Sequence, residues 1–471
     1  MMKKLITLVL LVSLVSGCAV GPDYKRPTTS VPSTYRGLTP EQAAKASPAS
    51  LADEKWWEVF QDEQLQELIR TALEQNYDVR IAATRILQAQ AQLGVTRADQ
   101  FPTITGGGQA GRQRNPEQFL GPSFPNVPAF KSNTYELNAS LFWELDFWGK
   151  FRRATEAAQA DLLASQWARE EVISILVSNV AAAYFQLREL DLELEISRRT
   201  LGTRQGSLKL TRSLADHGAT SMLDVRQAEQ LVFTASEQIP DLERRIEQEE
   251  NFISTLLGEN PGAVPRGLTL THQPHAPEVP AGLPSSLLER RPDIRQAEEN
   301  LIAANARIGV AKAAYFPQIT LTATGGVQTF AIENLFTGPA GMWSIAGALL
   351  QPIFEGGRIR SGVKLSKAQQ EEALLTYKQT IQGAFRDVSD ALIGYRKNRE
   401  FRIEQEHLAE SAKDAARLSD MRYRGGVTSY LEVLTNDTNY FSAELGLAQA
   451  QLNELLALVQ LYKALGGGWE Q

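Results

Sequence analysis

Two periods of apolar residues divide this chain into strands and helices. From Tyr135 the odd positions are Tyr135, Leu137, Ala139, Leu141, Trp143 and Leu145, and the even ones Glu136, Asn138, Ser140, Phe142, Glu144 and Asp146. Such alternation, with Phe142 the single exception, predicts a strand with one apolar and one polar, acidic face. Ile319, Leu321, Ala323 and Val327 alternate with Thr320, Thr322, Thr324 and Gln328 in the same manner, and glycines dilute a weaker alternation over 103–113 and 343–354. Four strands are therefore predicted, at about 103–113, 133–146, 317–328 and 343–354. Elsewhere the period is helical. Trp56, Trp57, Phe60, Leu65, Leu68, Ile69 and Leu73 recur at three- and four-residue spacing, and the pattern continues towards Gln100 until Phe101-Pro102 stops it. No proline lies between Pro128 and Pro240 or after Pro352, so 149–216 and 357–424 are each predicted as nearly continuous helix, about 100 Å at 1.5 Å per residue.

Both long helices run into a glycine-containing break, Asp216-His217-Gly218-Ala219-Thr220-Ser221 and Arg424-Gly425-Gly426-Val427-Thr428-Ser429. Glycine ends one helix, Thr or Ser caps the next, and Asp224 or Glu432 falls in the new first turn, where the helix dipole favours a carboxylate. Each break reads as the tip of a helical hairpin, with returning helices over 220–257, kinked at Pro240, and 430–465. The two hairpins belong to a duplicated unit. Tyr77–Pro102 aligns with Pro292–Pro317, ending LGVTRADQFP in one copy and IGVAKAAYFP in the other, and Gly149, Arg152, Gly218, Thr220 and Ser221 match Gly357, Arg360, Gly426, Thr428 and Ser429. The second copy is shorter between these two sets of anchors, which places a variable loop between its strands.

Lys3 and Lys4, the apolar run from Leu5 to Val15 and Ser16-Gly17-Cys18 read as a secretory leader over 1–17, too short to span a bilayer. Cys18 is the only cysteine, so no internal disulfide forms. Val15-Ser16-Gly17-Cys18 resembles the lipobox of bacterial lipoproteins, which implies acylation of Cys18; Ala19 after it implies sorting to the outer membrane. Residues 18–55 carry Pro22, Pro27, Pro32, Pro40 and Pro48 and suit an extended tether lying on another surface. The net charge of −7 becomes more negative when the leader's two lysines are removed, which argues against a nucleic-acid partner. His217, His272, His275 and His407 have no metal-ligand spacing, and no nucleophile or phosphate-cradling motif is present, so neither a metal, a cofactor nor an enzymatic activity is expected. With no later segment apolar enough for a membrane helix, any crossing of lipid falls to the strands, each near the roughly 9 to 11 residues required. Four strands cannot close a barrel; two chains would give eight and three twelve, both usable even numbers.

The lipobox, GPDYKRP, the segment WWEVFQDEQLQELIRTALEQNYDVRIA, the duplicated G-V-x-x-A-x-x-F-P and the tip RYRGGVTSYLEVL together resemble the outer-membrane efflux factors, the TolC and OprM-like lipoproteins of NodT type. The resemblance implies an α+β membrane protein: a trimeric, twelve-stranded transmembrane β-barrel with four strands per chain, continued by a long periplasmic α-helical barrel with an internal two-fold repeat. It divides the chain into the leader, the lipidated tether, a first repeat over 56–257, a linker and equatorial segment over 258–284, a second repeat over 285–465 and a tail over 466–471. It implies a homotrimer in the outer membrane, a periplasmic adaptor, an inner-membrane pump of the resistance-nodulation-division class, and passive conduction of drugs or other small toxic compounds. Arg422, Tyr423 and Arg424 match residues that hold the periplasmic end closed against acidic partners. The family's acid falls at Thr435 here, leaving Glu432 and Asp437 as replacements. Small residues at the tips, Gly218, Thr220, Ser221, Gly426, Thr428 and Ser429, are implied to receive the adaptor, and Tyr135, Leu137, Leu141 and Trp143 to face lipid. An exit duct for secreted proteins and a trimeric surface stalk are the competing readings. Met222, Met342 and Met421 are the only methionines after the leader, so a thioether path for copper is unsupported.

Overall fold

The computed structural model describes residues 19–38, 50–116, 129–274 and 280–469. The leader, Cys18 and His275 lie outside them. The helical run after Trp56 is not single but three helices, α1 (Trp56–Val59), α2 (Glu63–Gln75) and α3 (Tyr77–Ala98). Two capping side chains cut it. Asp62 accepts from the N–H groups of Gln64 (3.0 Å) and Leu65 (3.3 Å), and Asn76 accepts from those of Asp78 (2.7 Å) and Val79 (3.3 Å). Each satisfies amides that a new helix start leaves open.

The strands are β1 (Thr103–Asn115), β2 (Phe130–Glu144), β3 (Gln318–Thr329) and β4 (Gly341–Leu350), all antiparallel, in the order β1-β2-β3-β4. Long helices follow each pair: α4 (Lys150–Asp216) with α5 (Met222–Leu257), and α8 (Arg358–Arg424) with α9 (Tyr430–Ala464); between the halves lie α6 (Leu287–Arg290) and α7 (Pro292–Ala313). Both α4 and α8 are 67 residues long. α5 continues through Pro240. β4 stops at Leu350 although apolar residues continue to Phe354, because Pro352 has no N–H to give a ladder, and Ile353 and Phe354 stand 96% and 89% exposed. β2 stops at Glu144, and Asp146 turns to accept the N–H of Arg152 at 2.8 Å, capping α4 instead of extending the strand.

The chain divides into two compact units. One contains the sheet, Leu87–Ala164, Glu298–Thr376 and the tether to Pro27. Here Ala157 and Ala160 of α4 pack on Ala303 and Ala306 of α7, where four small side chains let the helix backbones approach. Trp148 stacks on Phe316 (4.7 Å between centroids) and donates to the Pro317 carbonyl, so the second copy of the Phe-Pro motif packs at the end of β2, whereas Phe101 of the first copy stays exposed. The other unit contains Thr28–Ile86, Ser165–Ala297 and Tyr377–Gln471. Leu65, Ile69, Ile173, Tyr184, Leu187 and Leu190 are among its fully buried side chains. Buried Asp62 organises this core as well as capping α2, accepting from Tyr184 Oη (2.9 Å), the Leu268 N–H (2.9 Å) and Gln273 Nε2 (2.8 Å). Among the described residues no helix is long and apolar enough to cross a membrane.

Candidate functional site: hairpin tips, tether socket and strand face

The two hairpin tips share one backbone solution. Gly218 takes φ +74° while the Ala219 N–H reaches back to Leu214 (2.8 Å); Gly426 takes φ +70° while the Val427 N–H reaches back to Arg422 (3.0 Å). A Cβ at either glycine would meet nothing within 4 Å, so the demand is for a left-handed backbone and not for space. The side chains then diverge. Ser221 caps α5 reciprocally with Asp224, whereas Ser429 makes no side-chain cap on α9. Thr220 donates to Asp224 and Thr428 to Glu432.

At the second tip Arg422 Nε lies 3.4 Å from Glu432 and Arg424 Nε 2.7 Å from Asp420. All four side chains are at least a third exposed, so these pairs add little stability. Tyr423 turns inward and meets Tyr430 edge to face at 5.3 Å, against Ala228, Val433 and Leu208, which unites the two hairpins. Its hydroxyl is buried without a hydrogen-bond partner among the described residues. Burial, reinforced by Asp437, pushes the Tyr430 hydroxyl up to about 12. Asp437 itself pairs with buried Arg204 at 2.7 Å; that guanidinium also donates to the Leu231 carbonyl (2.9 Å) and covers the Phe441 ring. Of the two acids suggested in place of Thr435, Glu432 therefore joins the tip and Asp437 is held by α4. Thr435 only donates back to the Leu431 carbonyl.

The tether is seated in a built socket. Val20 donates to the Trp148 carbonyl (2.9 Å), Asn305 donates to the Pro22 carbonyl (2.9 Å), Arg153 pairs with Asp23 (2.5 Å), and Glu298 receives both Tyr24 (3.1 Å) and Arg26 (2.9 Å). Gly21, at φ +127°, crosses Gly309 so closely that a Cβ on Gly309 would stand 2.6 Å from the Val20 carbonyl oxygen.

Register settles the faces of the sheet. Ala110, Tyr135 and Thr329 form one row, Leu137 and Val327 another, and Ile104, Leu141, Ala323 and Ile345 a third. The opposite face carries Thr105, Ser140, Thr324 and Ser344 in a row. Tyr135, Leu137, Leu141 and Trp143 thus share one face. Trp143 also donates from its indole N–H to the Gln100 carbonyl at 3.1 Å.

Residues 68–259 and 283–467 match the family model described as outer membrane efflux protein. The chain belongs to the outer membrane efflux protein family. The two matched segments follow the internal duplication. The toluene efflux pump outer membrane protein TtgC of Pseudomonas putida is 36% identical over 470 residues, covering 100% of this chain and 96% of that protein. The cation efflux system protein CusC of Escherichia coli is 33% identical, covering 97% of each. The structure of the open state of the Neisseria gonorrhoeae MtrE outer membrane channel superimposes with a TM-score of 0.85 at 31% identity, over 96% of this chain and 99% of that one. The α+β membrane fold with four strands per chain and a doubled helical hairpin is accordingly that of the outer membrane efflux proteins, which are ducts and not enzymes.

Sequence reasoning missed the partners that give the family motifs their places. Arg204 and Asp437 are too far apart in the chain for any local pattern to join them. The tether's receptors Glu298, Asn305 and Gly309 do carry a signal: their spacing puts them on one face of α7, beside the alanines that pack on α4.

Proposed function

We propose that this protein is the outer-membrane exit duct of a tripartite efflux pump, a homotrimer whose three sheets close a twelve-stranded barrel. The observation that carries the reading is the order β1-β2-β3-β4, which leaves β1 and β4 each with an unpaired edge among the described residues. An open edge in lipid costs several kcal/mol for every unpaired backbone group, and closure with further copies removes it. On this reading Tyr135, Leu137, Leu141 and Trp143 face lipid, and acylated Cys18, continuing the seated tether, adds a second hold on the membrane. The tether over 18–55, the repeats over 56–257 and 285–465 and the segment over 258–284 are its working parts.

Transport is passive, with energy supplied by an inner-membrane pump of the resistance-nodulation-division class. A periplasmic adaptor docks at Gly218, Thr220, Ser221, Gly426, Thr428 and Ser429, and the second tip gates the mouth through Arg422, Tyr423, Arg424 and Glu432. The names of the relatives, which speak of toluene and of cations, support small toxic compounds as cargo. Conductance in planar bilayers tests the duct: purified wild-type protein gives discrete channels, and Tyr423→Ala with Arg424→Ala raises their open fraction. A protein that passes no current under any condition refutes the duct, and unchanged current in the double variant removes the gate. Gly426→Trp abolishes cross-linking to the adaptor while the trimer persists; retained cross-linking overturns the docking assignment.

A further inference from the structure

The charges of the sheet are sorted by face. Among the described strand residues the only acids, Glu136 and Glu144, occupy even positions of β2 and stand on the polar face. Among the same described strand residues the only basic ones, Arg112, Arg114 and Lys131, stand on the opposite, mainly apolar face, all at the hairpin end of β1 and β2. Arg114 is the direct cross-strand partner of Lys131, and Arg112, the partner of Asn133, is the next residue on the same face. All three are exposed. Like charges directly opposite each other on a sheet repel and destabilise the pair, so the arrangement calls for an anion.

Position identifies the kind of anion, on the exit-duct reading proposed above. Ile104 and Arg112 are eight residues apart on β1, roughly 27 Å at about 3.4 Å per residue. A strand tilted by about 40° then carries Arg112 roughly 20 Å along the membrane normal, near the edge of an apolar band about 25 Å tall. Tyr135, one row below Arg112, suits the aromatic girdle at that edge. The cluster lies at the strand ends that lead into the hairpin loop, away from those that lead into α4 and α8, and therefore at the outer surface. A headgroup phosphate there sits above acyl chains that cover Leu137 and Leu141.

We propose that Arg112, Arg114 and Lys131 bind the phosphates of a phosphorylated glycolipid of the outer leaflet, fixing the depth of the sheet in the membrane. Guanidinium groups suit the role because they bind phosphate through paired N–H donors and hold their charge beside lipid.

The test uses full-length protein in detergent, incubated with diphosphorylated lipid A, dephosphorylated lipid A or inorganic phosphate. Wild type retains diphosphorylated lipid A about tenfold better than the dephosphorylated form, R112Q/R114Q/K131Q retains the two equally, and the charge-preserving R112K/R114K keeps most of the preference. Equal retention of diphosphorylated lipid A by wild type and the triple variant overturns the proposal. So does displacement of that lipid by inorganic phosphate at equal concentration, which would assign the cluster to free anions. Planar-bilayer conductance separates this from the duct: a triple variant that conducts like wild type leaves the duct intact whatever its lipid preference, whereas a wild type without current fails the duct reading itself.

Discussion

At the residue scale the hairpin junction depends on one buried cation. Arg204 is 2% exposed and its counter-charge Asp437 only 22%. Removing one partner of such a pair strands the other in a poorly solvated site, so Asp437→Asn lowers stability by about 3 kcal/mol, read by denaturant titration in detergent, while Arg204→Met with Asp437→Leu loses much less. Tyr423→Phe behaves oppositely. It deletes a buried hydroxyl with no hydrogen-bond partner among the described residues, and is expected to be neutral or slightly stabilising. Glu189 supplies a pH signature. It is buried on α4 with neither carboxylate oxygen hydrogen-bonded among the described residues, and burial together with Glu193 pushes it up to about 8. A proton shared between the two acids would give that carboxyl its missing hydrogen bond. A carboxyl raised in the folded state binds its proton more tightly there than when unfolded, so stability falls as pH rises from the ordinary carboxylate range towards 8. Glu189→Gln should flatten that decline, with melting temperature raised at pH 8 and little changed at pH 5. Tyr423 and Asp437 were legible as candidate residues, but their contacts were not, because Tyr430, Ala228 and Arg204 come from other helices; Glu189 gave no signal because its burial arises only in the packed fold.

At the scale of elements the tips divide into what repeats and what does not. Gly218 and Gly426 matched in the alignment because both need a left-handed backbone, and Gly426→Ala costs about 1 kcal/mol. The paired serines do not match in effect. Ser221→Ala, which deletes a reciprocal cap, costs about 1 kcal/mol, whereas Ser429→Ala costs a few tenths. Thermal melts of the two variants check the contrast. The long helices were readable from the missing prolines and β2 from its alternation, since each is a property of a single segment. Element ends were harder to read. Pro352 overrode an apolar pattern that ran on to Phe354, and Asp62 and Asn76 each cut a helical pattern through one side chain's hydrogen bonds.

At the scale of the whole molecule, on the exit-duct reading proposed above, the sorted faces of the sheet predict an asymmetric response to charge in the membrane. Leu141→Arg, on the apolar face, costs roughly 2 to 4 kcal/mol near the bilayer midplane, whereas Ser140→Arg on the other face changes conductance more than stability. Refolding titrations into vesicles distinguish the two, and equal tolerance would contradict the face assignment. The equality of α4 and α8, 67 residues each, carries a further consequence for how such a gene can change. One codon gained in either helix advances its end by about 1.5 Å and rotates it by about 100°, enough to carry Leu208 or Tyr423 out of their shared cluster. Lengthening is tolerated only when both copies grow in step and by near-whole turns, so viable insertions should arise as matched pairs.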